Sequence, residues 1–324
     1  MSILPTGCVV NILNGLKWFI FKTFSLILII LSIVSVQFAH AETIELAVLY
    51  PEASGSYSKV FKNILEGVNE LDNIHVTTHR ISKKTQIVDV KSWLKSNKCQ
   101  TVLALGQRSY KVAKQLNNNL PLTIGAIVAA PNGHGGISMD GSPELFLHHL
   151  SNLAPDVKRV HVVYSEKNTG WLVKIAEVSA AKRNIELLSY KVDNLKQGIK
   201  NYTEILNKVE SKKDAIWIPL DRVVPDKAIL PKVLKTAWDK NIVIFSNNPL
   251  HTKKGTLFAL FPDHKLVGKK LATIAVEQVG ANGKNELFPT TNLKLAVNRR
   301  TASHLGLSFS KSEQRQFDIV FPSR

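Results

Sequence analysis

Residues 121–165 read PLTIGAIVAAPNGHGGISMDGSPELFLHHLSNLAPDVKRVHVVYS. The run 122–128 has the length and apolar content of a buried strand. A loop rich in Gly, Pro and Asn follows it, then a helix over 143–152, then a second apolar strand over 159–164. Strand-then-helix units lie on both sides. The stretch therefore reads as a segment crossing between two α/β halves, and the cleft between the halves is where function is expected.

Upstream, strands are predicted at 44–50, 75–81 and 101–105, with helices at 59–71, 85–96 and 107–116. In the helix 59–71, Val60, Phe61, Ile64, Leu65, Val68 and Leu71 fall on one face. Downstream, strands at 159–164, 186–191, 215–220, 242–245 and 256–261 alternate with helices at 169–182, 202–210 and 226–240. Pro231 limits the early part of the last of these helices. Alternation of this kind implies parallel sheets covered on both faces and right-handed crossovers, so each half is predicted to be a doubly wound, Rossmann-like lobe. A helix at 263–279 is expected to cross back to the first lobe, and a last strand at 293–297 to return to the second. The expected division is 42–152 plus 262–286 for the N-terminal lobe, and 153–261 plus 287–324 for the C-terminal lobe.

Residues 1–41 hold Lys17 and Lys22, no acid, an uncharged apolar run at 24–38 and the triplet Ala39-His40-Ala41. These are the parts of a secretory signal peptide, with cleavage expected after Ala41 and export to the periplasm. The alternative is an uncleaved anchor, since 18–38 is about the ~20 residues a spanning helix needs. Cys99 is then the one remaining cysteine, at the start of the strand 101–105, and reads as a small buried thiol. With residues 1–41 removed, the chain's formal charge of +17 falls by two. The basic doublets are spread along the chain, so the charge reads as a lysine-rich solvated surface and not as a nucleic-acid site. Apolar residues make up 44% of the chain, enough for packed cores.

Ligands of parallel α/β sheets bind beyond the carboxyl ends of the strands, where helix N-termini offer free N–H groups. That rule selects Tyr57; Gly106, Gln107 and Ser109; Trp171; Asp221; and Asn247. Gly106 to Ser109 opens a helix and is either a carboxylate cradle or an ordinary capped turn. Asp221 either pairs with a ligand ammonium or caps a helix. Tyr57 and Trp171 either stack on a ligand or pack on the cleft wall. The histidines give no metal-ligand spacing, and neither a nucleophile elbow nor a phosphate loop is present. No cofactor is expected, and the reading is a binding module and not an enzyme, with a periplasmic hydrolase of unrecognised site as the alternative.

Four phrases carry a resemblance, in order: Pro155-Asp156-Val157-Lys158-Arg159-Val160; Asp214-Ala215-Ile216-Trp217-Ile218-Pro219-Leu220-Asp221; Phe261-Pro262-Asp263 before a helix holding Gly268; and Asn298-Arg299-Arg300-Thr301-Ala302 followed by Leu305-Gly306-Leu307. Together they resemble the ABC-transporter substrate-binding family that includes predicted tryptophan and tyrosine uptake proteins, over most of residues 44–307. The resemblance implies a type I periplasmic binding fold, two lobes joined by a three-crossing hinge. It also implies a monomer that takes a small ligand such as an amino acid to an ABC permease. A ligand-sensing subunit of a membrane signalling system is the alternative. By position, Gln107 and Ser109 are implied for a ligand carboxylate and Asp221 for its amine. The chain departs from the family pattern at 129–140, AAPNGHGGISMD, which is shorter and lacks an Asp-Pro.

Overall fold

A computed structural model describes residues 43–116, 119–280 and 285–322; the expected signal segment lies outside the described residues. Two sheets organise the chain. The first holds β1 (Ile44–Pro51), β2 (Ile74–Ile81), β3 (Thr101–Leu105), β4 (Leu122–Ile127), β5 (Gly135–Gly141) and β11 (Leu287–Thr290), all parallel, in the order β11-β5-β4-β3-β1-β2. The second holds β6 (Arg159–Tyr164), β7 (Glu186–Lys191), β8 (Asp214–Ile218), β9 (Val243–Ser246), β10 (Phe258–Pro262), β12 (Leu293–Asn298) and β13 (Ile319–Phe321), in the order β13-β12-β10-β9-β8-β6-β7. Only the β10–β12 pairing is antiparallel.

Alternation within the strands feeds both faces of each sheet. In β1, Leu46 and Val48 meet α1 (Ser56–Val68) and α9 (His264–Glu277), through Phe61, Ile64, Val267 and Leu271. Ala47 and Leu49 meet α2 (Ile87–Ser96) and, through Ala113, α3 (Gly106–Gln115). In the second lobe, Trp217 joins the core under α4 (Pro143–Leu153) and α5 (Glu166–Ala181). Its neighbours Ile216 and Ile218 join the core under α6 (Leu195–Lys208) and α7 (Asp226–Lys240). Central strands β3 and β8 are buried along their whole length, which is why they read as unbroken apolar runs.

Helices α1 and α9 cross at two glycines. A Cβ at Gly67 would collide with the Lys265 carbonyl, and one at Gly268 with the Ile64 carbonyl. Only hydrogen at these positions lets the two backbones approach, and this contact fastens α9 to the first lobe.

The chain passes between the lobes at 141–143, 262–264 and 290–293, three crossings that each join carboxyl ends of first-lobe strands to second-lobe elements or the reverse. Several bounds differ from those the sequence suggests. The segment 129–140, read as loop, contains β5, because Ile137 and Met139 alternate with Ser138 and Asp140 on a pleated strand. Helix α4, assigned above to the first lobe, packs Phe146, Leu147 and Leu150 into the second-lobe core, so the crossing precedes it. Strand β11, assigned above to the second lobe, pairs with β5 in the first. Helix α6 begins at Leu195, capped by the Asn194 side chain, and α7 runs through Pro231. The short helices α8 (Pro249–Lys254), α10 (Arg299–His304) and α11 (Lys311–Gln314), with β13, complete the second lobe.

Candidate ligand site

Helix α3 starts with no intervening loop, directly at the end of β3. Gly106 makes this possible with φ of +78°, and a Cβ there would press on Phe61 and Pro51. The first turn of α3 carries no acidic side chain and no side-chain cap, so its N–H groups stay available to a ligand anion. Gln107 is exposed; Ser109 is fully buried, and its Oγ has no hydrogen-bond partner. Tyr57, the second residue of α1, is 71% exposed and stands free of the core.

In the second lobe Asp221 lies against the start of α5, the helix that carries Trp171. The Asp221 carboxylate accepts the Ser165 N–H at 2.7 Å, the Ser165 hydroxyl at 3.0 Å, the Thr169 hydroxyl at 2.6 Å and the Val223 N–H at 2.9 Å. Four donors fill the sites a carboxylate offers. These bonds tie the loop after β8 to Ser165 and Thr169 at the start of α5, while α7 begins after Pro225 without a side-chain cap from Asp221. Trp171, on that helix, is half-buried with its Nε1 enclosed and unpartnered. Asn247 is buried and its Oδ1 accepts the Trp217 Nε1–H at 3.0 Å. That bond satisfies the one polar atom of a fully buried indole, a structural task.

A carboxylate that strand-end logic passes over sits at the hinge. Asp140, near the end of β5, is 2% exposed and receives the Ser138 hydroxyl at 2.7 Å on one oxygen. Burial, opposed in part by that hydrogen bond and reinforced by the charge of Asp221, pushes its carboxyl up to about 6. No cation of the described residues pairs with it. A buried acid without a counter-ion, at the carboxyl end of a strand and beside a crossing, has the features of a ligand-facing group. Its signal in the sequence is the alternation in Ile137-Ser138-Met139-Asp140.

A second polar row lies at the end of β9. Ser246 Oγ is 2.7 Å from His251 Nδ1, and His251 Nε2 is 2.8 Å from Asp226 Oδ2. The chemistry of a nucleophile–base–acid series is present, but its access is not. Ser246 is fully buried and also accepts the Asn248 N–H at 3.0 Å. The bond from His251 holds the Asp226 carboxyl below its usual range and joins α8 to the start of α7. Among the described residues no cluster of His, Cys, Asp and Glu is arranged to hold a metal ion, and no helix is long and apolar enough to cross a membrane.

Residues 137–313 match the family model described as ABC transporter substrate binding protein. The chain belongs to this family. Its solved neighbours include the ABC domain in complex with L-Trp from Streptococcus pneumonia, at 17% identity over 86% of this chain and 100% of that one, with a TM-score of 0.53. A substrate-binding protein with adhesive properties from Clostridium difficile, in its ligand-free open form, aligns at 15% identity over 87% and 100%, with a TM-score of 0.60. A periplasmic ribose ABC transporter structure from Conexibacter woesei aligns at 12% identity over 86% and 99%, TM-score 0.50. These likenesses establish the type I periplasmic binding fold. No curated protein matches the chain. For a substrate-binding protein of this fold, the cleft between the lobes is the expected ligand position, and α3, Asp140 and the start of α5 all lie at the strand ends that face it.

Proposed function

We propose that this chain is an exported solute-binding protein that captures an amino acid, or a similar zwitterion, for an inner-membrane ABC permease. The carrying observation is Asp140, a buried acid without a counter-ion at the hinge. A ligand ammonium placed there gains a charge-assisted hydrogen bond and relieves the cost of the buried charge. The uncapped start of α3 supplies N–H groups for the carboxylate, with Gln107 beside it. Trp171 and Tyr57 offer surface to the ligand's apolar part, and Trp171 Nε1 is a donor in want of an acceptor. Asp221 then acts as a positioning residue, holding α5 and shaping the field at Asp140. The L-Trp complex of the pneumococcal relative makes aromatic amino acids the first ligands to try.

In this reading residues 1–41 direct export and are removed, and the mature monomer works in the periplasm. An intact mass beginning at Glu42 supports this; a mature protein retaining Met1 refutes it. Ligand capture is tested by thermal melts against each proteinogenic L-amino acid. A ligand present at 100 times its Kd adds about 2.7 kcal/mol of stability, an easily read rise in Tm. A flat response across the whole set removes the amino-acid assignment.

A further inference from the structure

At the opposite pole of the second lobe lies a cavity of ≈ 500 Å³. Asn298 at the end of β12 opposes the beginning of β10, and Asn298 N–H donates to the Leu257 carbonyl. The cavity therefore sits one strand length from the crossing at Pro262, about 16 Å for a five-residue strand. It is separate from the cleft, and its chemistry is independent of the function proposed above.

Its walls bring together Lys235 of α7, Lys253 and Lys254 of α8 and Arg300 of α10, and no acidic side chain lines it. Lys235 is paired with Asp239 at 2.7 Å. Among the described residues Lys253, Lys254 and Arg300 form no ion pair. Like charges facing one concavity repel, and an anion in that concavity relieves the repulsion.

The floor is built and not merely decorated. Buried Asn298 donates its Nδ2–H to the Thr252 carbonyl at 2.7 Å and accepts the Thr301 N–H at 3.0 Å. Thr301 Oγ1 donates to the Gly255 carbonyl at 3.0 Å. These bonds fix α10 against the end of α8 and so fix the spacing between the two lysines and Arg300. Trp238 holds the guanidinium of Arg300 5.5 Å from its ring centroid, and His304 stacks on the same indole at 3.6 Å. A held guanidinium loses little freedom when it binds a tetrahedral oxyanion. Leu234, Phe321 and Pro322 make the remaining wall apolar.

We propose that this cavity is a second binding site, for a phosphate ester whose charged group meets Arg300, Lys253 and Lys254 and whose carbon body rests on Leu234 and Phe321. A soluble metabolite and a phospholipid headgroup share this chemistry. The test titrates the full chain with glycerol 3-phosphate by calorimetry, and separately measures its co-sedimentation with phosphatidylglycerol vesicles against phosphatidylcholine vesicles. The key variant is Lys253→Gln/Lys254→Gln/Arg300→Gln; a control of equal charge change is Lys83→Gln/Lys84→Gln/Lys182→Gln. The expected result is binding in at least one arm, weakened at least about tenfold by the pole variant and nearly untouched by the control. Binding in the first arm alone assigns a metabolite, and in the second alone a headgroup. Arg300→Lys, which keeps the charge and loses the planar fork, is expected to weaken binding by less, and serves if the triple variant fails to fold. Equal losses in pole variant and control would mean general attraction to a basic chain and overturn the proposal. So would the absence of binding in both arms.

Discussion

Replacing Asp140 by Asn should make the protein more stable at neutral pH. Burial and the neighbouring Asp221 charge raise the Asp140 carboxyl from 3.8 to about 6. A raised acid is ionised at a cost in the folded state, and the cost appears as pH climbs past the unfolded value of 3.8 and is complete above the folded value of 6. The shift of roughly two units, at 1.36 kcal/mol per unit, corresponds to about 3 kcal/mol at pH 7, about half that at pH 5, and almost nothing at pH 3. Asn keeps the shape and still accepts the Ser138 hydroxyl, but carries no charge to bury. Urea denaturation of wild type and Asp140→Asn at pH 3, 5 and 7.5 should therefore give curves that coincide at the acid end and diverge in the variant's favour as pH rises. At pH 7.5 the gain is worth roughly 6 °C in Tm for a chain of this size. Equal stabilities at pH 7.5, or a less stable variant, would refute the reasoning, because the charge would then have a counter-ion or solvent that the structure does not show.

Four further outcomes rest on other contacts of the fold. Asp221→Ala, which strands the Ser165, Thr169 and Val223 donors, should cost about 2 kcal/mol of stability and change ligand affinity little; a hundredfold loss of affinity with an unchanged melt would return Asp221 to direct ligand contact. Gly268→Ala should cost about 3 kcal/mol by driving a methyl into the Ile64 carbonyl, and a melt within a degree of wild type would show that α1 and α9 can separate freely. Asn247→Leu leaves the Trp217 indole N–H unpaired inside the second-lobe core, at a cost of about 2 kcal/mol in urea denaturation. Asp214, whose carboxylate accepts two bonds from Arg159, is held below 3.8 despite its burial, so its contribution is present above pH 4 and fades as pH falls through the lowered value; Asp214→Asn should flatten that acid limb of the stability curve.

The alternation of strands and helices was legible because parallel strands buried on both faces, such as Thr101–Leu105 and Asp214–Ile218, leave unbroken apolar runs. Lobe membership was harder to read. The periodicity of Phe146, Leu147 and Leu150 identifies an apolar face, but not which of two sheets that face meets. Strand β5 was hidden by the glycines that open it, one of which, Gly136, adopts φ of +151° and fits tightly against the Ile124 carbonyl. The start of α6 was missed because Gly198 weakens the helical pattern; in the folded chain its bare Cα makes room for Val224. For the candidate site, strand-end logic selected α3, Trp171 and Asp221. It could not reveal that four donors already occupy Asp221, since those on Ser165 and Thr169 come from a different strand end 52 to 56 residues away. Nor could it single out Asp140, whose significance lies in burial without a counter-ion and not in any spacing.

On the function proposed, the cleft recognises its ligand by an ammonium group, through Asp140. Calorimetric titration of the L-amino acid that most raises Tm, beside its deaminated acid and its decarboxylated amine, tests this most directly. Saturable one-to-one binding of the amino acid is expected, with measurable binding retained by the amine and at least about a hundredfold loss with the deaminated acid. A deaminated acid that binds as tightly as the amino acid itself would contradict it.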